Sequence, residues 1–248
     1  MTHAIAIVDC ETTGLDPDRH EVWEVAVIIA GVEDEEGKAP ADCEYLWQLP
    51  VQNLDDAEPA ALSLSRFYER RWPTIEPSEL DGSAAGKALD GYRDGPDAIE
   101  RVLTVAQMPA WAWRFAELTA GLPLVGANPS FDARRLDDLI RRYDASPAWH
   151  YRLLDIESMA AGYVLGRRSL LEQEDIAHLI KSRPTPATVP RHPVSAPPLN
   201  TGAFPLPWAS LRTVAGLVGV SRASRGRHTA LEDCRWVRDI WRRIVHAS

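Results

Sequence analysis

An α/β fold is what this sequence predicts, and three observations predict it. The chain opens on apolar runs rich in isoleucine and valine, separated by short polar turns, the pattern of a strand meander. Later apolar positions recur every three to four residues, as they do on amphipathic helices. With 248 residues and 45% hydrophobic side chains the chain can bury a substantial core, and 25% charged residues is too few for wholesale disorder.

The first strand is expected over Ala4 to Asp9, ended by Thr12-Thr13-Gly14-Leu15 and Pro17. A second apolar run covers Val22 to Ala30, and Asp34-Glu35-Glu36-Gly37-Lys38 turns the chain into a third over Tyr45 to Leu49. Residues 59–72 read as a helix with Pro59 in its first turn, where a missing N–H does no harm. Residues 72–97 are richer in Gly, Pro, Ser and acids and read as a loop insertion. Ala98 to Ala120 reads as a long helix that Pro109 kinks or divides. A short strand over Leu122 to Val125, the turn Gly126-Ala127-Asn128-Pro129 and a helix over Phe131 to Tyr143 follow. A strand around Arg152 to Ile156 leads into a helix through Met159 and Val164. Between Ser182 and Pro207 stand eight prolines, a density that neither a helix nor a central strand tolerates. That stretch is expected as an extended surface loop within a wider insertion over 167–207. Ser210 can cap a helix over Leu211 to Val218, and a last helix runs from His228 to Ile244. The expectation is one domain over 1–248 carrying two loop insertions.

Composition excludes several classes of protein. A formal charge of -9 disfavours holding nucleic acid by a global positive field. The charge is uneven, since residues 211–248 carry eight arginines against three acids. Arg222, Arg225 and Arg227 cluster just before His228, and Arg134, Arg135, Arg141 and Arg142 form a second basic group. Such clusters are either solvated faces or local phosphate steering. Three scattered cysteines build no disulfide framework and point to a reducing compartment. The opening MTHAIAIVDCETTG lacks a signal peptide's basic start, and no apolar run is long enough to span a membrane, so a cytoplasmic protein is expected. Nine tryptophans, spread along the chain, are expected mostly as core or interface anchors, not base-stacking groups.

Chemistry is concentrated at three places. Asp9 and Glu11 are two apart at the end of the first strand, so both point to one side of it. Asp132 falls in the first turn of a helix that follows a short strand, where an acid is favourable with or without a function. His228 and Asp233 are five apart and can border one pocket if the histidine precedes the helix. Each element alone is also an ordinary polar turn or helix start. Together, four carboxylates at the ends of apolar elements are a hard-oxygen ligand set suited to Mg²⁺ or Mn²⁺. Two such ions about 3.5–4 Å apart would relieve the mutual repulsion and build a phosphoryl-transfer site, with the histidine placed to take a proton from water.

The same residues carry a family resemblance. Val8-Asp9-Cys10-Glu11-Thr12-Thr13-Gly14-Leu15 matches the DxETTGL motif of the DnaQ-like 3′-5′ exonucleases. Glu24, in HEVWEVAVI, matches the glutamate of their second strand. Val125-Gly126-Ala127-Asn128-Pro129-Ser130-Phe131-Asp132 stands where many members read HNxxFD, with Ala127 in place of the histidine. His228-Thr229-Ala230-Leu231-Glu232-Asp233 matches the HxAxxD of the DEDDh subgroup. The chain resembles that subgroup over most of residues 4–244.

The resemblance implies a ribonuclease H-like fold, a mixed central sheet flanked by helices. It implies two divalent ions, Mg²⁺ or Mn²⁺, with Asp9 bridging them, Glu11 and Asp233 completing the first and Asp132 helping to hold the second. His228 would act as the base, and 5′-mononucleotides would be released. Thr12, Thr13, Gly14 and Leu15 would place the terminal nucleotide, with Asn128 and Phe131 bordering its pocket and Arg222, Arg225 and Arg227 on the incoming backbone. The first reading of the substrate is a single-stranded or frayed DNA 3′ end, as in proofreading or repair. The alternatives are RNA trimming of the oligoribonuclease kind and a non-catalytic nucleic-acid-binding protein on the same fold. A polymerase or another replication or repair protein is an expected partner, no membrane is, and a homodimer is compatible with the resemblance.

Overall fold

Alternation builds the first strand, β1 (Ile5–Thr12), and divides the molecule into two apolar faces. Ala6, Val8 and Cys10 enter one core cluster, while Ile5 and Ile7 enter another. β1 pairs antiparallel with β2 (Val22–Ala30), every residue of which is buried. β2 pairs antiparallel with β3 (Cys43–Gln48), which completes the meander. The computed structural model describes residues 4–31, 42–71, 99–167, 211–220 and 229–245.

Two short helices follow, α1 (Pro59–Leu64) and α2 (Phe67–Arg70). The single helix expected over 59–72 is broken because Arg66 adopts a left-handed conformation, φ 57°. The long helix expected over Ala98 to Ala120 is also corrected. Its first part is a strand, β4 (Ile99–Val102), parallel to β3. A 3₁₀ turn over Val105–Gln107, closed by a capping box between Thr104 and Gln107, then leads into α3 (Met108–Leu118). Pro109 therefore starts the helix instead of kinking it. The sequence Ile99-Glu100-Arg101-Val102 carries no period-two alternation, since its two apolar residues are three apart, so pairing with β3 and not local pattern makes it a strand.

β5 (Pro123–Gly126), α4 (Pro129–Arg141), β6 (His150–Asp155) and a helix over 156–167, α5, form the next units. α6 (Leu211–Leu217) and α7 (Ala230–Val245) come last. The six strands lie in the order β4-β3-β2-β1-β5-β6, with β5 and β6 parallel to β1. Met108, Trp111, Phe115, Leu136 and Ile140 from α3 and α4 cover one face. Ile156, Ala160, Ala215, Leu231, Cys234 and Val237 from α5, α6 and α7 cover the other. This is a mixed parallel and antiparallel sheet between helical layers. Trp23, Trp47 and Trp111 are fully buried, whereas Trp113 is exposed. All three cysteines are free thiols. Among the described residues no helix is long and apolar enough to cross a membrane. The insertions expected over 72–97 and 167–207, with the eight prolines and Ser210, lie outside the described residues, apart from the 156–167 helix that reaches into the second.

Candidate metal centre

β1 extends past the expected end at Asp9, so Asp9 and Glu11 both belong to the strand. Their positions alternate with the Cys10 side, which puts both carboxylates toward the face that α7 covers. Asp233 stands in the first turn of α7, whose start is held by Thr229: its carbonyl accepts the Asp233 N–H at 3.0 Å and its hydroxyl accepts the Glu232 N–H at 3.1 Å. One oxygen each from Asp9, Glu11 and Asp233 lie within 4.8 Å of one another. A sheet strand and a helix distant in sequence thus converge on one point.

Asp132 reaches the same place from the other helical layer. β5 runs beside β1 only as far as Gly126, where a Cβ would meet the Val8 carbonyl oxygen at 3.1 Å. Beyond that point the Cys10 N–H has no strand partner on this side, and Asp132 Oδ1 accepts it at 2.9 Å. Asp132 is buried, one turn into α4. The structure therefore brings three of the four expected carboxylates into one cluster and sets the fourth beside them on the Cys10 amide.

Electrostatics records the crowding. Burial pushes the Asp9 carboxyl well above the usual carboxylate range, helped by the charges of Asp132, Glu11, Asp233 and Glu24. Burial and Glu24 raise Glu11 to about 7, against the opposing pull of Arg70. Burial raises Asp132 to about 7, against its hydrogen bonds from Cys10. Burial also holds the Cys10 and Cys234 thiols protonated, so neither is a thiolate nucleophile. An all-oxygen donor set with this much unrelieved negative charge fits a hard divalent cation.

The loop beyond β1 is wound around two side chains. Arg135, buried on α4, donates to the carbonyls of Asp16 at 3.1 Å, His20 at 3.2 Å and Gly14 at 3.2 Å, and to that of Leu15. Its guanidinium also lies 5.0 Å from the Phe131 ring centroid. His20 accepts the Asp16 N–H on Nδ1 at 2.8 Å, which leaves Nε2 to donate to the Asp56 carbonyl at 2.9 Å. Gly14 is required here because a Cβ would lie 2.4 Å from His20 Nδ1. Thr12 donates its hydroxyl to the Gly14 carbonyl at 2.8 Å, and the Thr13 hydroxyl accepts the Glu21 N–H at 2.9 Å. Leu15 is left 70% exposed at the loop tip. Asn128, exposed and left-handed at φ 55°, precedes α4, and Phe131 is half-buried beside it.

Of the basic residues singled out by the sequence, the described ones are committed to the fold in part. Arg135 serves the loop and is not available to a phosphate. In the C-terminal segment Arg235 and Arg238 pair with Glu44, Arg238 and Arg242 pair with Asp42, and the Arg243 Nε donates to the Val218 carbonyl. That part of the positive charge fastens α7 to β3. Arg222, Arg225, Arg227 and His228 lie outside the described residues.

Two residues that sequence reasoning left without a role belong to the same frame. Glu24 is fully buried and ion-paired with Arg70. The signal was legible in principle, since a lone carboxylate in the run VWEVAVIIA must find a partner. A cleft of about 430 Å³ opens beside the loop, lined by His20, Met108, Arg135 and Tyr143 among others, and none of the four carboxylates borders it.

No family model and no curated protein matches the chain. Solved structures do match. The zinc-bound form of the E. coli ExoI–ssDNA complex aligns with a TM-score of 0.53 and 17% identity, over 100% of this chain and 41% of that one. E. coli Exonuclease I with a dA16 oligonucleotide aligns with a TM-score of 0.52 and 17% identity, over 99% and 41%. An apo form of exonuclease I gives a TM-score of 0.52 and 17% identity, over 98% and 42%. The chain thus spans about two-fifths of the length of these structures. The likeness is one of fold, the α/β arrangement of the ribonuclease H-like kind.

Proposed function

We propose that this chain is a metal-dependent 3′-5′ exonuclease that releases 5′-mononucleotides from single-stranded or frayed DNA ends. The observation that carries the reading is the convergence of the Asp9, Glu11 and Asp233 carboxylates within 4.8 Å, with Asp132 beside them. The fold's likeness to exonuclease I bound to single-stranded DNA supports it. Divalent cations, when bound, supply a lowered pKa for water and neutralisation of phosphate charge.

The chain's own residues divide the work. Asp9, Glu11 and Asp233 hold the cations, and Asp132 holds the Cys10 amide at the centre of the carboxylate motif while adding its own charge. His228, two residues before α7 begins, takes the proton from the attacking water. The exposed Leu15 packs against the terminal base, and the Arg135 clamp keeps the loop that carries it in one conformation. Thr12 and Thr13 offer backbone groups to the terminal nucleotide, while Asn128 and Phe131 border it. Arg222, Arg225 and Arg227 neutralise the following phosphates. The terminal nucleotide enters unstacked, not paired.

The test is release of labelled mononucleotide from a 3′-labelled DNA oligonucleotide in Mg²⁺, run beside an RNA of the same sequence. DNA release abolished by chelator is the expected result. Equal release after thorough chelation overturns the metal reading, and release from RNA alone overturns the DNA assignment. Binding without release in Mg²⁺ and Mn²⁺ leaves the non-catalytic reading.

A further inference from the structure

Glu24 touches both sides of the candidate metal centre, the sheet and the start of α7, without belonging to it. On the sheet it lies in one row with two polar neighbours, Glu11 on β1 and Gln48 on β3. Its Oε1 accepts the backbone N–H of Ala230, the first residue of α7, at 3.0 Å. Both of its oxygens are taken by Nη2 of Arg70. Arg70 is itself fixed: Nη1 donates to the Ser65 carbonyl at 2.9 Å, and its own carbonyl accepts the Gln48 side-chain amide at 2.9 Å. The guanidinium also lies 5.2 Å from the Trp23 ring centroid.

This arrangement decides where α7 starts. An unpaired N–H at a helix start is satisfied by an acceptor, and a negative one is favoured by the helix dipole. Here the acceptor is a carboxylate rigidly mounted in the sheet, opposite Glu11. Ala230 precedes Asp233 by three residues, about 4.5 Å along the axis and close to one turn. The same carboxylate therefore references Asp233 to the strand that carries Asp9 and Glu11.

We propose that Glu24, clamped by Arg70, is a positioning residue that sets the separation of Glu11 and Asp233 and thereby the affinity of the site for a divalent cation. The inference rests on the metal-centre reading above and reaches beyond it, since Glu24 need never touch the cation. Without its carboxylate, two things change together. The start of α7 loses its charged acceptor, and Arg70 loses its counter-charge beside Glu11. A guanidinium released there competes with the cation for Glu11.

The experiment uses the full chain and Mn²⁺ alone, followed by electron paramagnetic resonance or titration calorimetry, with Asp9→Asn defining which binding belongs to the site. Glu24→Gln and Arg70→Met are each expected to weaken Mn²⁺ binding by about 10–100-fold, the range for partners that orient metal ligands. Arg70→Lys should recover part of the loss, because it keeps the charge but not the second donor that ties the guanidinium to the Ser65 carbonyl. Phe115→Leu, which trims a buried side chain in the helical layer on the opposite face of the sheet, is the control for lost stability and should leave Mn²⁺ affinity unchanged. Affinity in folded Glu24→Gln within about twofold of the parent overturns the proposal. So does an equal loss in Phe115→Leu. Where Glu24→Gln fails to fold, Glu24→Asp and Arg70→Lys give the same readout. If the parent binds Mn²⁺ in an Asp9-dependent way but releases no nucleotide, the exonuclease reading fails while this one stands. Absence of Asp9-dependent binding in the parent overturns both.

Discussion

Asp9 shows what a single carboxylate does in this frame. It is surrounded by Asp132, Glu11, Asp233 and Glu24, and its proton is held more tightly than in the unfolded chain. Glu11 and Asp132 behave alike, each raised to about 7. Between roughly pH 4 and pH 7 the folded protein therefore binds more protons than the unfolded one, and stability falls as pH rises. The metal-free protein is expected to melt several degrees higher near about pH 5 than near about pH 8. Added Mg²⁺ should recover most of that loss at the higher pH, and Asp9→Asn should flatten the slope while abolishing nucleotide release. Scanning calorimetry in chelator across this range checks all three; a slope of the opposite sign rejects the crowded-carboxylate account. His228→Ala separates chemistry from binding. Turnover is expected to fall by about 10²–10⁴-fold with Mn²⁺ affinity kept, as for loss of a general base. Equal loss of both, read by single-turnover rates and calorimetry, would make His228 a ligand.

At the scale of elements, the loop between β1 and β2 is ordered by a helix distant in sequence. Arg135 donates to four loop carbonyls, two of which, those of Gly14 and Asp16, also accept from the Thr12 hydroxyl and the His20 N–H. Arg135→Met is expected to lower stability by about 1–3 kcal/mol, the range for leaving buried polar groups unsatisfied. It should raise KM for a short oligonucleotide more than it lowers kcat, since it loosens the loop and leaves the carboxylates in place. Gly14→Ala tests the same loop from the other side, because the added methyl displaces a ring held by two hydrogen bonds. Steady-state kinetics with limited proteolysis of residues 14–20 reads both variants; unchanged KM with intact protection contradicts the clamp. Element boundaries were legible where chemistry marks them. β2 was read at its observed ends because Glu21 and Gly31 flank an unbroken apolar run. The helix break at Arg66 was not, since a left-handed arginine leaves no trace in composition.

Over the whole molecule, a protein of charge -9 meets a polyanion only through local cations. Arg235, Arg238 and Arg242 are paired to Glu44 and Asp42, so they hold the fold together. Replacing Arg222, Arg225 and Arg227 by alanine should raise KM and flatten its salt dependence, because fewer counterions are released on binding. Replacing Arg235 and Arg238 should lower the melting temperature and leave the salt slope alone. Measuring KM at several salt concentrations with both variants distinguishes these roles, and the reverse pattern would move the substrate path to α7.

By itself the sequence determined the α/β class and the meander and singled out four carboxylates as candidates, because periodicity and short motifs are local properties of the chain. Tertiary structure decided which charges are available and which are committed. Arg135 and Arg134 are adjacent in sequence, yet only the first is buried against the loop carbonyls. Glu24 was singled out by its motif, but its partners, Arg70 and the start of α7, are set only when β2 folds back against β1 and α7 closes over both. Partnership of a polar group with residues some 50 to 200 positions away depends on register and layer packing, which no local pattern encodes, whereas burial of an apolar face does not depend on which partner covers it.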